Sequence, residues 1–244
     1  MIGKPFIILS SVDSTNNHAM ELIREGKAAT GTAIFSLEQT SGKGQRGRNW
    51  ISEPGQNIII SVILGFEGQA IRQQFLVSAV AALSCHDLLS KYAGDETCIK
   101  WPNDLFWRDR KTGGILIENL IQNGQLTKSV IGIGININQT NFDALDKKAV
   151  SLKQITGKTF DPILLAQELC EFLEKRFEKM KEDSIHDIMD EYNKRLFMKD
   201  ANATFKKNQI VFEAKVLGVD SNGELEIEHG LREKFLYGEI DWVL

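Results

Sequence analysis

No apolar run in this chain approaches the roughly 18 residues that a membrane-crossing helix needs, and the segment from Met1 to Leu9 is too short in its apolar part for a secretory leader. Both absences argue against a membrane role and place the chain in the cytoplasm. Cysteine is sparse as well: Cys85, Cys98 and Cys170 are scattered, with no CxxC pair and no Cys/His cluster to suggest a metal, so buried free thiols are expected. The four histidines, His18, His86, His186 and His229, stand alone and read as surface or helix residues. No Ser/His/Asp or Cys/His set announces a protein nucleophile. Positive charge is short too: 29 Lys and Arg against 33 Asp and Glu give a net charge of −4. The chain as a whole is therefore no electrostatic match for nucleic acid, and any phosphate it binds must be met locally.

What is present suffices for one large domain, or a large one followed by a small one. Pro5–Ser10 reads as a strand, and Asp13-Ser14-Thr15 caps a helix that runs through Leu22 and Ile23 to Gly26. Thr32–Leu37 and Asn57–Leu64 are strands, and a long buried helix runs from about Arg72 to Tyr92, ending near Gly94. Thr97–Trp101, Gly114–Leu120 and Ser129–Asn138 are further strands. Asp161-Pro162 opens a helix to about Lys181, and another follows around Ile185–Leu196. This order predicts an α+β domain with a mixed or largely antiparallel sheet over residues 1–198. From Lys199 to Leu244 short alternating strands, separated by Ser221-Asn222-Gly223 and His229-Gly230 turns, predict a small β-barrel packed against the first part.

Four segments carry chemistry. Gln39-Thr-Ser-Gly-Lys-Gly-Gln-Arg-Gly-Arg-Asn-Trp50 places three glycines, three cations and a terminal Trp between two strands. Glycine lets backbone N–H groups approach an oxyanion, Lys43, Arg46 and Arg48 supply charge, and Trp50 offers a face to a purine. The alternative is a solvated surface loop. Lys100-Trp-Pro-Asn-Asp104 ends a strand at a proline and presents Asn103 and Asp104, suited to phosphate, ribose or Mg²⁺, or else to capping a turn. Arg110-Lys-Thr-Gly-Gly-Ile-Leu116 sends two glycines into a strand behind Lys111, which is either an active cation or a solvated one. In Val130-Ile-Gly-Ile-Gly-Ile-Asn-Ile-Asn138 the isoleucines face one side, while Gly132 and Gly134 leave a bare floor on the other, continued by Asn136. Close helix packing would explain that bare face equally well.

In order and spacing these segments, with Ser14-Thr15-Asn16, closely resemble the biotin protein ligases over essentially the whole chain. The resemblance implies a catalytic domain related to class II aminoacyl-tRNA synthetases and lipoate ligases, then an SH3-like barrel over 199–244. It implies that biotin and ATP, with Mg²⁺, give biotinyl-5′-AMP and pyrophosphate, and that the adenylate acylates one lysine of a biotin carboxyl carrier protein of acetyl-CoA carboxylase or a related carboxylase. Ser14, Thr15, Asn16 and Gln39 would surround the ureido ring and thioether, and Gly114, Leu116 and Gly132 would line the slot for the ring and valeryl chain. Gly42 and Lys43 would meet the carboxylate or the adenylate linkage, and Arg46 and Arg48 the ATP phosphates. Trp50 would cover the adenine. Asn103, Asp104 and Asn136 would lie near phosphates, ribose and Mg²⁺, with Lys111 the central catalytic cation and no direct protein cluster for the metal. Family dimers pair through the catalytic domain, so a homodimer is compatible. Two departures matter. Where many relatives read GRGRRGR this chain has Gly42-Lys-Gly-Gln-Arg-Gly-Arg48, which bears on adenylate retention. The first motif begins at Ser14, leaving no room for a winged helix-turn-helix, so neither a repressor role nor DNA binding is expected. A lipoate ligase and a non-catalytic biotin or nucleotide sensor are the competing readings.

Overall fold

The Ile-rich segments at the centre of the chain pair with one another, and the rest of the larger sheet is built outward from them. Its strands are β1 (Phe6–Leu9), β2 (Ala33–Ser36), β3 (Ile58–Ala70), β4 (Thr97–Lys100), β5 (Asp104–Trp107), β6 (Arg110–Gln122) and β7 (Gln125–Ile135). They lie in the order β1-β2-β3-β7-β6-β5-β4, with β1 parallel to β2 and every other pair antiparallel, which is the mixed sheet expected. The structure, a computed structural model, describes residues 1–70, 74–142, 148–181 and 183–244. No helix among these is long and apolar enough to cross a membrane.

Helices cover both faces of this sheet. On one side α1 (Thr15–Arg24) buries Ala19 against Ile34, Ile63 and Val130. On the other, α2 (Gln74–Ala93) lies between the sheet and α4 (Pro162–Lys179) and α5 (Ile185–Lys194). Sandwiched in this way, α2 is buried almost all round, with Leu83, Leu88 and Leu89 each about 1% exposed. Its expected start at Arg72 lies outside the described residues. At the head of α4 the Asp161 carboxylate accepts from the N–H groups of Ile163 (2.8 Å) and Leu164 (3.2 Å), and Pro162 fills the first turn, as its sequence predicts. Arg176 of α4 joins the helices by donating to Asp87 of α2 at 2.6 and 2.8 Å and to Glu191 of α5 at 2.7 and 3.0 Å. Burial opposes these charges, but the hydrogen bonds prevail, and the Asp87 carboxyl is held down to about 2.

The second sheet comprises β8 (Asn202–Lys207), β9 (Ile210–Val219), β10 (Leu225–His229), β11 (Leu231–Phe235) and β12 (Asp241–Val243), all antiparallel in the order β11-β10-β9-β8-β12. It is open, with β11 and β12 at its ends, and compatible with the SH3-like form without closing as a barrel. Asn193 of α5 sutures it to the first part: its amide donates to Val219 O (2.9 Å) and accepts from Val219 N (2.7 Å). Trp101 adds a third link by donating from Nε1 to Gly223 O at 2.9 Å.

Three short elements escape the sequence reading: β5, β12 and α3 (Leu152–Thr156), the last closed by a Ser151/Gln154 capping box. Sequence predicts a strand ending at Pro102. β4 does stop before it, at Lys100, and Trp101–Asn103 form a hairpin turn from which Asp104 begins a second strand, paired with Lys100. β6 starts earlier than Gly114, so Lys111 lies in a strand rather than a turn. Cys85 and Cys170 are buried as expected, whereas Cys98 is only half-buried. Burial pushes the Cys98 and Cys170 thiols up to about 12, which leaves them unreactive.

Candidate active site

The glycine face of β7 is open where the isoleucine face is packed. Ile131, Ile133 and Ile135 belong to the core beneath, while side chains from elsewhere lie above the two glycines. A Cβ on Gly132 would collide with the Asn16 amide, and one on Gly134 would stand 2.5 Å from Cε2 of Trp50. These glycines admit a helix terminus and an indole where any side chain would exclude them.

Asn16 and its neighbours enter at the N-terminus of α1. Ser14 is the N-cap by backbone, but its side chain makes no capping bond. Gln39 substitutes for it, its Oε1 accepting from Thr15 N at 2.8 Å and from Thr15 Oγ1 at 3.1 Å. The Asn16 amide is fixed from two sides: Nδ2 donates to Glu118 at 2.8 Å, and Oδ1 accepts from the Ser61 hydroxyl at 2.6 Å. Ser61 pairs with Gly132 in register and is fully buried, so it supports the site from below. Neither Ser61 nor Glu118 was legible as a site residue. A serine within an apolar strand and a glutamate one strand away acquire meaning only once the sheet is assembled.

A bulge sets the other end. Leu105 pairs with Gly113 but Phe106 pairs with Lys111, leaving Thr112 as the extra residue. That insertion turns Lys111 to the face shared by Asp104 and Gly114. The Lys111 ammonium lies 2.6 Å from Asp104 Oδ1, and a Cβ on Gly114 would sit 3.6 Å from that ammonium. Both partners are partly solvated, at 28% and 21% side-chain exposure, so the pair is available to a ligand.

The cationic segment forms a tight hairpin. Trp50 N donates to Gly42 O at 2.9 Å, Gly44 N to Arg48 O at 2.7 Å, and Arg48 N to Gln45 O at 3.2 Å. Gly42 packs against Trp50 O and the Gln39 amide. The Lys43 ammonium donates to Asn17 Oδ1 on α1. Gln45 Oε1 and Trp50 Nε1 are buried without a hydrogen-bond partner among the described residues.

Two connected cavities result. The first, about 60 Å³ with Trp50 in place, is lined by Ser14, Thr15, Asn16, Gln39, Lys43, Gly114, Leu116 and Gly132 among others. The second, about 730 Å³, is lined by Arg46, Arg48, Asn103, Asn136 and residues of the second sheet, including Tyr237, Asp241 and Trp242. Trp50, Asp104 and Lys111 border both. Every expected site residue thus lines one cavity or the other, except Gly42, which supports the hairpin behind them. Asn103 uses Nδ2 to donate to Ile115 O at 2.7 Å, so part of its role is to tie the β4–β5 turn to β6. Lys100 also borders the larger cavity, 5.3 Å from the Phe106 ring centre and 5.5 Å from that of Trp242. No group of three or more His, Cys, Asp or Glu among the described residues is placed to hold a metal ion.

Similarity to known proteins is extensive. The profile of the Biotin/lipoate A/B protein ligase family matches residues 8–136. The chain is 31% identical over 242 residues to the bifunctional ligase/repressor BirA of Bacillus subtilis, spanning 97% of this chain and 73% of that one. It is 33% identical over 162 residues to the biotin–[acetyl-CoA-carboxylase] ligase of Paracoccus denitrificans, covering 64% of this chain and 65% of the relative. The biotin protein ligase of Aquifex aeolicus, solved in complex with biotin and ATP, superposes with a TM-score of 0.80 over 97% of each chain at 26% identity.

Proposed function

The chain belongs to the biotin/lipoate A/B protein ligase family, and we propose that its smaller cavity holds biotin, its larger one ATP, and that Lys111 acts where the two meet. The protein is a biotin protein ligase: it activates biotin as biotinyl-5′-AMP and transfers the biotinyl group to a lysine of a biotin carboxyl carrier protein. The observation that carries the assignment of roles is the half-buried Lys111–Asp104 pair on the common border of the cavities, 2.6 Å apart.

In the first step a biotin carboxylate oxygen forms a bond to the α-phosphorus, and the bond from that phosphorus to the bridging oxygen breaks, with pyrophosphate leaving. Two anions are brought together, so the site must neutralise charge on the phosphoryl oxygens. Lys111 supplies a compact charge beside the reacting atoms, while Arg46 and Arg48 supply forked donors at the pyrophosphate. Asn16, fixed by Ser61 and Glu118, and Thr15, fixed by Gln39, offer oriented polar groups to the ureido ring. In the second step the carrier's lysine nitrogen attacks the acyl carbon, AMP departs with the electrons of the C–O bond, and the amine proton is released. Trp50 stands between the cavities, so ligands entering both must move it from Gly134 and enclose the mixed anhydride against water.

Mg²⁺ accompanies ATP. The oxygen donors that border the larger cavity, Asp104 and Asp241, suit a hard cation that is held mainly by the triphosphate, and its contribution there is to neutralise phosphate charge. Residues 1–198 form the catalytic unit in this reading and 199–244 an accessory unit that walls the nucleotide cavity. Duplex DNA is not a partner of these 244 residues, whose net charge is −4.

Pyrophosphate release tests the substrate. Release with ATP plus biotin, and none above background with ATP plus lipoate or without an acid, supports the reading. Release that follows lipoate instead would assign the smaller cavity to the other acid of the family.

A further inference from the structure

Arg46 differs from its neighbours in the cationic hairpin. Its backbone is left-handed, at φ 55°, and its side chain turns toward the second sheet. The guanidinium carbon lies 5.6 Å from the ring centre of Tyr237. Gly238, at φ +95°, completes the cradle: a Cβ there would stand 3.0 Å from that same carbon. Tyr237 follows β11 and bridges to Ile240 just ahead of β12, so it belongs to a turn of the second sheet. The same ring meets Trp101 edge-on, with centroids 6.0 Å apart and planes at 82°. One ring therefore meets both segments that bring charged groups to the nucleotide cavity, the cationic hairpin and the Lys100–Asp104 turn. Tyr237 itself borders that cavity.

We propose that Tyr237 is a positioning residue for the nucleotide: its ring holds the Arg46 guanidinium by one face at the wall of the larger cavity, so that the in-plane N–H groups remain directed to the triphosphate. The physical basis is the division of labour within a guanidinium. Its face stacks on an aromatic ring, while its five donors lie in the plane and are not consumed by stacking. A free arginine must lose its rotamer freedom when phosphate arrives, whereas one already held over a ring has lost part of it beforehand. The second sheet thereby takes part in nucleotide binding through a residue that touches the loop. This inference rests on the reading that the larger cavity takes ATP.

The test is a double-mutant cycle on the full chain, with KM for ATP, kcat and biotin affinity measured for wild type, Tyr237→Phe, Tyr237→Ala, Arg46→Ala and the double alanine variant. Tyr237→Phe keeps the ring and is expected to match wild type. Tyr237→Ala is expected to raise KM for ATP by about three- to thirtyfold, with biotin affinity changed less than about twofold. In the Arg46→Ala background the same substitution should add nothing further. Should Tyr237→Ala not fold, Tyr237→Leu keeps apolar packing on Trp101 while removing the aromatic face, and the same shift is expected. Equal effects of Tyr237→Ala with and without Arg46, an unchanged KM for ATP, or a Phe variant as impaired as the Ala variant would each overturn the proposal. Absence of biotin-dependent ATP turnover in the wild type would overturn the underlying reading instead, and this proposal with it.

Discussion

The indole of Trp50 occupies the space over Gly134 that a side chain on that glycine would take, with Cε2 2.5 Å and Nε1 2.9 Å from the position of a built Cβ. Ligands that fill both cavities move the ring from this position to cover the adenylate, and Trp50→Ala removes that cover. The expected outcome is faster escape of biotinyl-AMP, by about five- to 150-fold if 1–3 kcal/mol of stacking is lost, with little change in melting temperature. Unchanged escape, measured by labelling of bystander amines at matched adenylate formation, would remove Trp50 from enclosure of the intermediate.

Lys111→Ala is expected to slow adenylate formation a hundredfold or more, following the size of effect when one transition-state donor is lost, while biotin affinity stays within about tenfold. Pyrophosphate release with biotin checks the first part and calorimetry the second. A near-wild-type rate would assign the Lys111–Asp104 pair to structure alone.

Ser61 touches no expected ligand directly but fixes Asn16. Ser61→Ala removes the donor at 2.6 Å and leaves Asn16 Oδ1 buried without it, which costs about 1–3 kcal/mol. Biotin affinity is expected to fall accordingly, by about five- to 150-fold, with KM for ATP unchanged. A parallel loss of ATP affinity would show that Ser61 holds the sheet rather than the biotin pocket.

How far the sequence could be read divides along physical lines. The helix at Asp161-Pro162 and the bare face of Gly132 and Gly134 were legible because each signal is local: a cap followed by a φ-fixed residue, and a two-residue periodicity. The cationic hairpin was legible as chemistry but not as shape, because its bonds from Trp50 to Gly42 and from Gly44 to Arg48 depend on a turn that many loops could adopt. β5 and β12 escaped because each opens on an aspartate, a residue depleted in strands, and exists through its pairing, β5 with β4 and β6 and β12 with β8. The bulge at Thr112, which aims Lys111, is a property of two paired strands and has no signature in either alone. Tyr237 lies nearly two hundred residues from Arg46, and only the packing of the two sheets brings them together.

Acid should expose the helix junction. Burial opposes the charge of the Asp87 carboxylate, but its hydrogen bonds with Arg176, and the His86 ring 3.9 Å away, hold it down to about 2. Because the folded value lies below the unfolded one, the stabilisation is complete above about pH 4 and is lost as pH falls toward 2. Its size is on the order of 2 kcal/mol, so Asp87→Asn should be less stable than wild type at pH 7 and approach it near pH 2. Equal denaturation midpoints for the two proteins at pH 7 would show that Asp87 contributes no net stability.

The most direct test of the central claim is the intact mass of a biotin carboxyl carrier protein after incubation with this protein, ATP, Mg²⁺ and biotin. The account expects one biotinyl group on a single lysine, dependent on both ATP and biotin, formed at least a hundredfold more slowly by Lys111→Ala. A carrier left unmodified by the wild type, or modified as fast by Lys111→Ala, would contradict it.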